Sequence, residues 1–273
     1  MPPHSDHWST QSPYGVRCEW GLDGARRLTA AGDVACLVVV DVLSFTTAVS
    51  VAVDAGTRVF PYRWRDETAA AFAGARDAGL AVGRGAATPT TPWSLSPAAL
   101  RAARLPARLV LPSPNGSTIA AAAADAGCLV VAGCLRNARA VGSWAALHGY
   151  GSAEKPLAVA PAGERWPDGG LRPALEDLLG AGAVIAALGT PGGLSPEARA
   201  AVAAFTSTPD LGAALAGCAS GRELAARAYE GDVALAAESD TSDAVPLLQG
   251  GAFDRAPGVP SPSSPKAPPD HAP

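Results

Sequence analysis

The chain has 273 residues, 48% of them hydrophobic and 17% charged, with a formal net charge of −4. That length suffices for one large domain or two modest ones with a proper core, and the acidic balance excludes a general nucleic-acid-binding surface. No signal-peptide pattern opens the chain and no apolar run reaches the roughly 20 residues that cross a bilayer, so a cytoplasmic protein with no membrane partner is expected.

Residues 1–14 are polar, with His4, His7 and prolines, and read as a disordered arm. Val16, Cys18, Trp20 and Leu22 alternate as in an edge strand, before a short helical turn through Leu28. Seven apolar residues, Val34 to Val40, then run into Asp41; such a β-branched run predicts a strand buried on both faces. Ser44, Thr46 and Thr47 follow, and a helix is expected over Ala48–Ala55. Thr57–Tyr62 reads as a strand, Arg65–Gly79 as a helix, Ala81-Val82 as a short strand and residues 87–97 as a long loop. Leu109–Leu111 is strand-like. Pro112-Ser113-Pro114-Asn115-Gly116-Ser117-Thr118 leads to a helix over Ile119–Ala126, and Gly116 permits close approach of backbone to a ligand. Cys128–Cys134 predicts another buried strand, Leu135-Arg136-Asn137 a turn, and Ala138–His148 a helix. Leu157–Ala160 is again strand-like and is followed by the polar loop 161–170, with Gly163, Glu164, Arg165 and Trp166. Helices are expected from Leu175 to Leu188, Pro196 to Phe205, Asp210 to Ala216 and Ser220 to Tyr229. A short one reaches Ala237, and Ala244–Leu248 is a last apolar segment. From Ala256 a Pro- and Ser-rich tail reads as disordered.

Strands alternate with helices, so the expected fold class is α/β: a layered helix/sheet/helix domain over residues 15–255, on a largely parallel or mixed buried sheet, either one unit or two intimately packed lobes. The five cysteines form no Cys-x-x-Cys pair, which predicts buried thiols and neither a disulfide framework nor a zinc site.

Four buried strands end in polar turns that feed helices: Asp41–Thr47, Asn115–Thr118, Arg136–Asn137 and Gly163–Glu164. In a parallel arrangement these ends share the sheet edge where ligands bind in α/β folds. Helix starts with small polar residues suit phosphate, and carboxylates beside them suit Mg²⁺. Taken singly, each turn is equally an ordinary helix cap, with Asp41 or Ser44 as the capping residue. No Gly-x-x-x-x-Gly-Lys-[Ser/Thr] loop occurs, no cysteine has an arginine six residues on, and Leu43 stands where a second aspartate would follow Asp41 in a haloacid-dehalogenase pattern. Carboxylate-plus-metal chemistry remains.

In that order and at fitting spacing, Asp41-Val-Leu-Ser-Phe-Thr46-Thr47, Pro114-Asn115-Gly116-Ser117, Leu135-Arg136-Asn137-Ala138 and Pro161-Ala162-Gly163…Glu176-Asp177…Ala181-Gly182 resemble the 2-phosphosulfolactate phosphatase family. The resemblance covers roughly Val34–Leu188, and more weakly Gly231-Asp232-Val233 to Val245-Pro246. It implies a Mg²⁺-dependent α/β phosphatase acting on 2-phospho-3-sulfolactate, a small anionic phosphoester whose product feeds coenzyme M synthesis. By position it implies that Asp41 and Glu176 or Asp177 are metal ligands or catalytic carboxylates; Glu164, in the fourth polar turn, is a further candidate metal ligand read from the turn itself. The resemblance also implies phosphate or substrate contacts from Thr46, Thr47, Asn115, Ser117 and Asn137; Ser44, Gly116 and Gly163 in the polar turns are further candidates read from the turns themselves. Glu176 and Asp177 are adjacent and point about 100° apart on a helix, so only one is expected to reach the site.

The chain departs from the family pattern at Gly83-Arg84, where a glutamate is missing, at Leu95-Ser96-Pro97, and at Ser113-Pro114. Arg84 is a candidate bidentate donor to phosphate or sulfonate, with Arg136 and Arg165 as further candidates; Trp166 is placed to cover the cleft or to pack on its loop. The departures leave room for a catalytically decayed relative that binds a small anion. Self-association as a homodimer is left open.

Overall fold

The computed structural model describes residues 7–64, 66–189 and 193–258. His4, Arg65, residues 190–192 of the expected Gly/Pro break, and the tail from residue 259 lie outside them. Strand β1 (Val16–Cys18) leads into α1 (Gly21–Thr29), β2 (Cys36–Val40) into α2 (Phe45–Asp54), and β3 (Arg58–Tyr62) into α3 (Thr68–Gly74); β4 (Gly79–Leu80) runs through a long loop to α4 (Pro97–Ala102). β5 (Arg108–Pro112) precedes α5 (Gly116–Asp125) and β6 (Leu129–Gly133) precedes α6 (Ala138–Leu147). β7 (Leu157–Pro161) is followed by a hairpin, β8 (Glu164–Arg165) and β9 (Leu171–Arg172), and then α7 (Leu175–Ala187). Helices α8 (Pro196–Thr206), α9 (Leu211–Gly217), α10 (Ala219–Ala225) and α11 (Glu230–Ala236) precede the closing hairpin β10 (Pro246–Gln249) and β11 (Ala252–Arg255).

Nine strands form one mixed sheet in the order β1-β7-β2-β6-β10-β11-β3-β5-β4. Strands β1, β7, β2 and β6 pair in parallel, as do β3, β5 and β4. The closing hairpin joins the two blocks through antiparallel contacts at every step, so the blocks run in opposite senses. Strand β2 explains the layering. All five of its residues are fully buried. Cys36, Val38 and Val40 enter a core with Val141, Leu179 and Val184 of α6 and α7. Leu37 and Val39 enter a second core with Leu28, Val49 and Ile119 of α1, α2 and α5. Alternate side chains point to opposite faces, so a strand covered by helices on both faces must be apolar throughout. Each buried Val or Leu there contributes about 1.5–3 kcal/mol. The helix/sheet/helix architecture is as expected.

Several local readings differ. Residues 7–14, expected in a disordered arm, begin with a 3₁₀ turn at His7–Thr10. Gln11 is buried; its Nε2 donates to Cys18 O at 2.9 Å and its Oε1 accepts from Cys18 N at 3.0 Å. That side-chain amide completes the outer edge of β1. Trp20 and Leu22 do not continue the strand, because the chain turns into α1 at Gly21. The Ser96-Pro97 pair starts α4, a helix the sequence reading did not anticipate: Ser96 Oγ accepts from Ala99 N at 3.2 Å with proline at the first helical position, the expected chemistry of a helix start. The polar loop after β7 contains the β8–β9 hairpin, and β11 was not anticipated. All five cysteines are free thiols, and all but the half-buried Cys128 are buried. Among the described residues no helix is long and apolar enough to cross a membrane.

Candidate active site

Three of the four expected turns meet. At the exit of β2, Thr46 Oγ1 donates to Asp41 O (2.8 Å) and accepts from Asp41 N (3.0 Å), while Thr47 Oγ1 donates to Val42 O (2.7 Å). Both threonines are fully buried; they shape the turn and do not face a ligand. The Leu43–Ser44 peptide bond within it is cis. Asp41 Oδ1 accepts from Phe45 N at 3.1 Å, capping α2, and Oδ2 accepts from Gly116 N at 3.0 Å. One carboxylate thus caps its own helix and ties the β2 exit to the β5 exit, although the two strands belong to opposed blocks. Gly116 is required there: a Cβ would stand 2.4 Å from Phe45 Cδ1 and 2.9 Å from Asp41 Oδ2. Ser117 is buried, with its hydroxyl donating to the carbonyls of Ser113 and Tyr62, so it braces the turn and does not reach the hollow.

The third turn, after β7, is fixed from α7. Asp177 Oδ1 accepts from Val42 N (2.7 Å) and Oδ2 from Gly163 N (2.8 Å). Asp177 is therefore a clamp between two turns, with both oxygens engaged. Gly163 sits at φ +65°, where an L side chain is strained, and a Cβ would meet Leu171 Cδ1 at 2.8 Å. The next residue, Glu164, accepts from Asn115 Nδ2 at 3.1 Å. Glu176 is buried and takes a weak hydrogen bond from the Cys218 thiol at 3.3 Å. The fourth turn stands apart. Asn137 is fully buried, accepting from Cys134 N and donating to Ala132 O and Ala244 O; it is a brace and not a substrate contact. Arg136 is buried against Asp54 and Glu238, so neither residue joins the site.

Arg84 does join it. Its Nε pairs with Asp232 Oδ2 at 2.7 Å and its Nη2 donates to Ser44 Oγ, which leaves Nη1 for an anion. Asp232 is buried and also accepts from Ser96 Oγ and Ala98 N. It is a positioning residue to which sequence reasoning gave no role, although Gly231-Asp232-Val233 carried part of the weaker resemblance and Asp232 stands in the first turn of α11. Asp41, Ser44, Arg84, Asn115, Glu164 and Arg227 line a hollow of ≈ 200 Å³. Arg227, on the turn after α10, was missed as well. Arg165 is exposed and lines a neighbouring pocket, and Trp166 is exposed, with the Arg172 guanidinium over its ring.

The hollow is short of positive charge. Burial raises the Asp41 carboxyl, against two backbone N–H donors that lower it, with the Glu176 charge raising it further and Arg84 lowering it. Burial, then repulsion from Asp41 and Glu176, raises Asp177 well above its ordinary value. Burial followed by the charges of Asp41 and Glu176 pushes Glu164 up to about 7. Among the described residues no three His, Cys, Asp or Glu side chains are grouped to hold a metal ion. The expected set of Asp41, Glu164, Glu176 and Asp177 is therefore not one coordination shell: Asp177 is engaged with two backbone N–H groups and Glu176 with a thiol. Of that set only Asp41 and Glu164 line the hollow, with Glu223 beside them.

Compared with models of known protein families, residues 25–251, most of the chain, match 2-phosphosulpholactate phosphatase. The chain belongs to the 2-phosphosulpholactate phosphatase family. It is thereby placed among phosphoric monoester hydrolases, which act on small phosphoesters. No curated protein matches the chain significantly. The matched span of this phosphatase contains every residue that lines the hollow.

Proposed function

We propose that this phosphatase hydrolyses, with Mg²⁺, the phosphate monoester of a small acidic hydroxy acid, 2-phospho-3-sulfolactate or an analogue. The observation that carries the reading is the convergence of Asp41, Ser44, Arg84, Asn115 and Glu164, from separate stretches of the chain, on one hollow. A guanidinium held at Nε and Nη2 presents Nη1 to a phosphate oxygen in a fixed direction. Mg²⁺ is commonly held by one or two carboxylates plus substrate phosphate and water, so no cage of three acids is needed. Asp41 and Glu164 are the residues that would hold it; burial first, and then the charges of Asp41 and Glu176, push Glu164 up to about 7, and a bound cation would offset the repulsion among these acids. When bound, the ion neutralises charge on the phosphoryl oxygens. Arg84 orients the phosphate, Asp232 and Ser44 orient Arg84, and Asp177 with Thr46 keeps the turns in register around Asp41.

Phosphate release from 2-phospho-3-sulfolactate tests this. EDTA should abolish turnover, and Asp41→Asn should lower kcat by about a hundredfold or more. A full-rate variant, or turnover indifferent to EDTA, overturns the proposal. A second reading, a catalytically decayed anion binder, draws on the departures from the family pattern at Gly83-Arg84 and Leu95-Ser96-Pro97. It predicts saturable anion binding with no phosphate released from any ester.

A further inference from the structure

A second pocket of ≈ 300 Å³ adjoins the hollow and shares with it Pro114, Asn115 and Glu164. Two of the shared residues are joined, Asn115 Nδ2 donating to Glu164 Oε2 at 3.1 Å, where the pockets adjoin. The second pocket lies beyond the carboxyl ends of β1 and β7, so it continues the sheet edge on which the β2 turn sits; ligands of α/β sheets bind along that edge. Its far walls are Trp20 and Leu22 at the start of α1, Ile119 of α5, and Leu171 of the hairpin.

This is a formed pocket. The hairpin is paired at Glu164↔Arg172 and Arg165↔Leu171, closed by Trp166 N donating to Gly170 O at 2.8 Å, and anchored at Gly163 by Asp177. Leu171 is 42% exposed, so an apolar wall is left facing water. The charges are Asp23, Glu164 and Arg165, and the Arg165 Nη1 already donates to Gly169 O at 3.0 Å. Two acids and one engaged arginine do not favour a second anionic group. A tryptophan with three aliphatic side chains favours a flat, uncharged body.

We propose that the pocket beside Trp20 receives the organic body of larger phosphate monoesters, uncharged and flat, while their phosphate occupies the hollow at Arg84; the enzyme thus hydrolyses aryl-type monoesters in addition to a small acidic ester. The inference rests on the phosphatase reading above and widens its substrate class. In the reaction water adds to phosphorus, the P–O(aryl) bond breaks, and inorganic phosphate and the aryl alcohol leave, with no further reactant.

The test compares kcat/KM for 1-naphthyl phosphate with that for 2-phospho-3-sulfolactate, in Mg²⁺, for wild type, Trp20→Ala and Trp20→Phe. Wild type should turn over both esters. Trp20→Ala should lower the naphthyl-to-sulfolactate ratio about tenfold, the worth of one aromatic contact, and Trp20→Phe should restore most of it. A merely structural role for Trp20 would lower both activities together, leave the ratio in place and overturn the inference. Turnover of the sulfolactate ester with none of the naphthyl ester overturns the inference and leaves the phosphatase reading standing. Turnover of neither overturns both.

Discussion

Replacing Glu164 by Gln puts the charge balance of the hollow to a quantitative test. The amide keeps an oxygen for Asn115 Nδ2, so the 3.1 Å hydrogen bond survives and only the titration is lost. In the folded protein the Glu164 carboxyl is pushed from an ordinary 4.5 to about 7 by burial, then by Asp41 and Glu176. Between those values the folded state keeps a proton that the unfolded chain has released. Stability from this group is therefore present below the unfolded value and is lost as pH rises through the folded one. Across pH 5 to 8 the loss comes to about 2–3 kcal/mol, at 1.36 kcal/mol per unit. Urea titrations of wild type and Glu164→Gln in metal-free buffer at those two pH values give the difference directly: wild type should fall relative to the variant by that amount. Parallel pH profiles would refute the reasoning, because Glu164 would then titrate as an exposed carboxylate and the acids would not be crowding one another. Repeating the pH 8 measurement with Mg²⁺ should raise wild type above the variant if the ion binds here.

Asp177→Asn leaves one acceptor for two backbone donors and turns an NH₂ group toward the other. It should cost about 2–4 kcal/mol of stability, read by urea melts; unchanged stability would mean that the clamp across Val42 and Gly163 holds nothing together. Asp232→Asn weakens the ion pair that aims Arg84, whose side chain is only 18% exposed. KM for the phosphoester should rise about tenfold, the worth of a weakened charged hydrogen bond, with kcat less affected. An unaltered KM would show that Arg84 needs no such support.

The fold class was legible because it follows from local pattern. Val34–Val40 reads as a strand covered on both faces, and Cys36–Val40 forms one; the apolar runs of β2, β5 and β6 each stop at a polar turn that leads into a helix. The convergence was legible only in part: the β2 and β7 exits share an edge because those strands pair in parallel, whereas the β5 turn belongs to the opposed block and reaches Asp41 through the Gly116 N–H. The division of labour among polar residues was not legible. Asn115 and Asn137 occupy like positions after like strands, yet Asn137 is sealed by Ala244, 107 residues away, while Asn115 stays at the rim. Glu176 and Asp177 look interchangeable in sequence, and one becomes a clamp only because two backbone donors from distant turns come within 2.8 Å of it. The partner of Arg84 lies 148 residues further on, beyond the reach of any local pattern. The short β11 escaped because Ala252–Arg255 has neither alternation nor length.

Gln11 and its hold on Cys18 bear on how copies of this chain can associate. The outward peptide groups of β1 are occupied at Val16 by Gly193 O and Ser195 N and at Cys18 by the Gln11 amide. A free row of such groups is a template onto which another molecule zips. This flank offers none, so joining two molecules by extending the sheet across it is closed off, and any dimer there must be built on side-chain surfaces. Trimming the first fourteen residues would uncover the Cys18 end of that row and give back the stickiness that one glutamine suppresses.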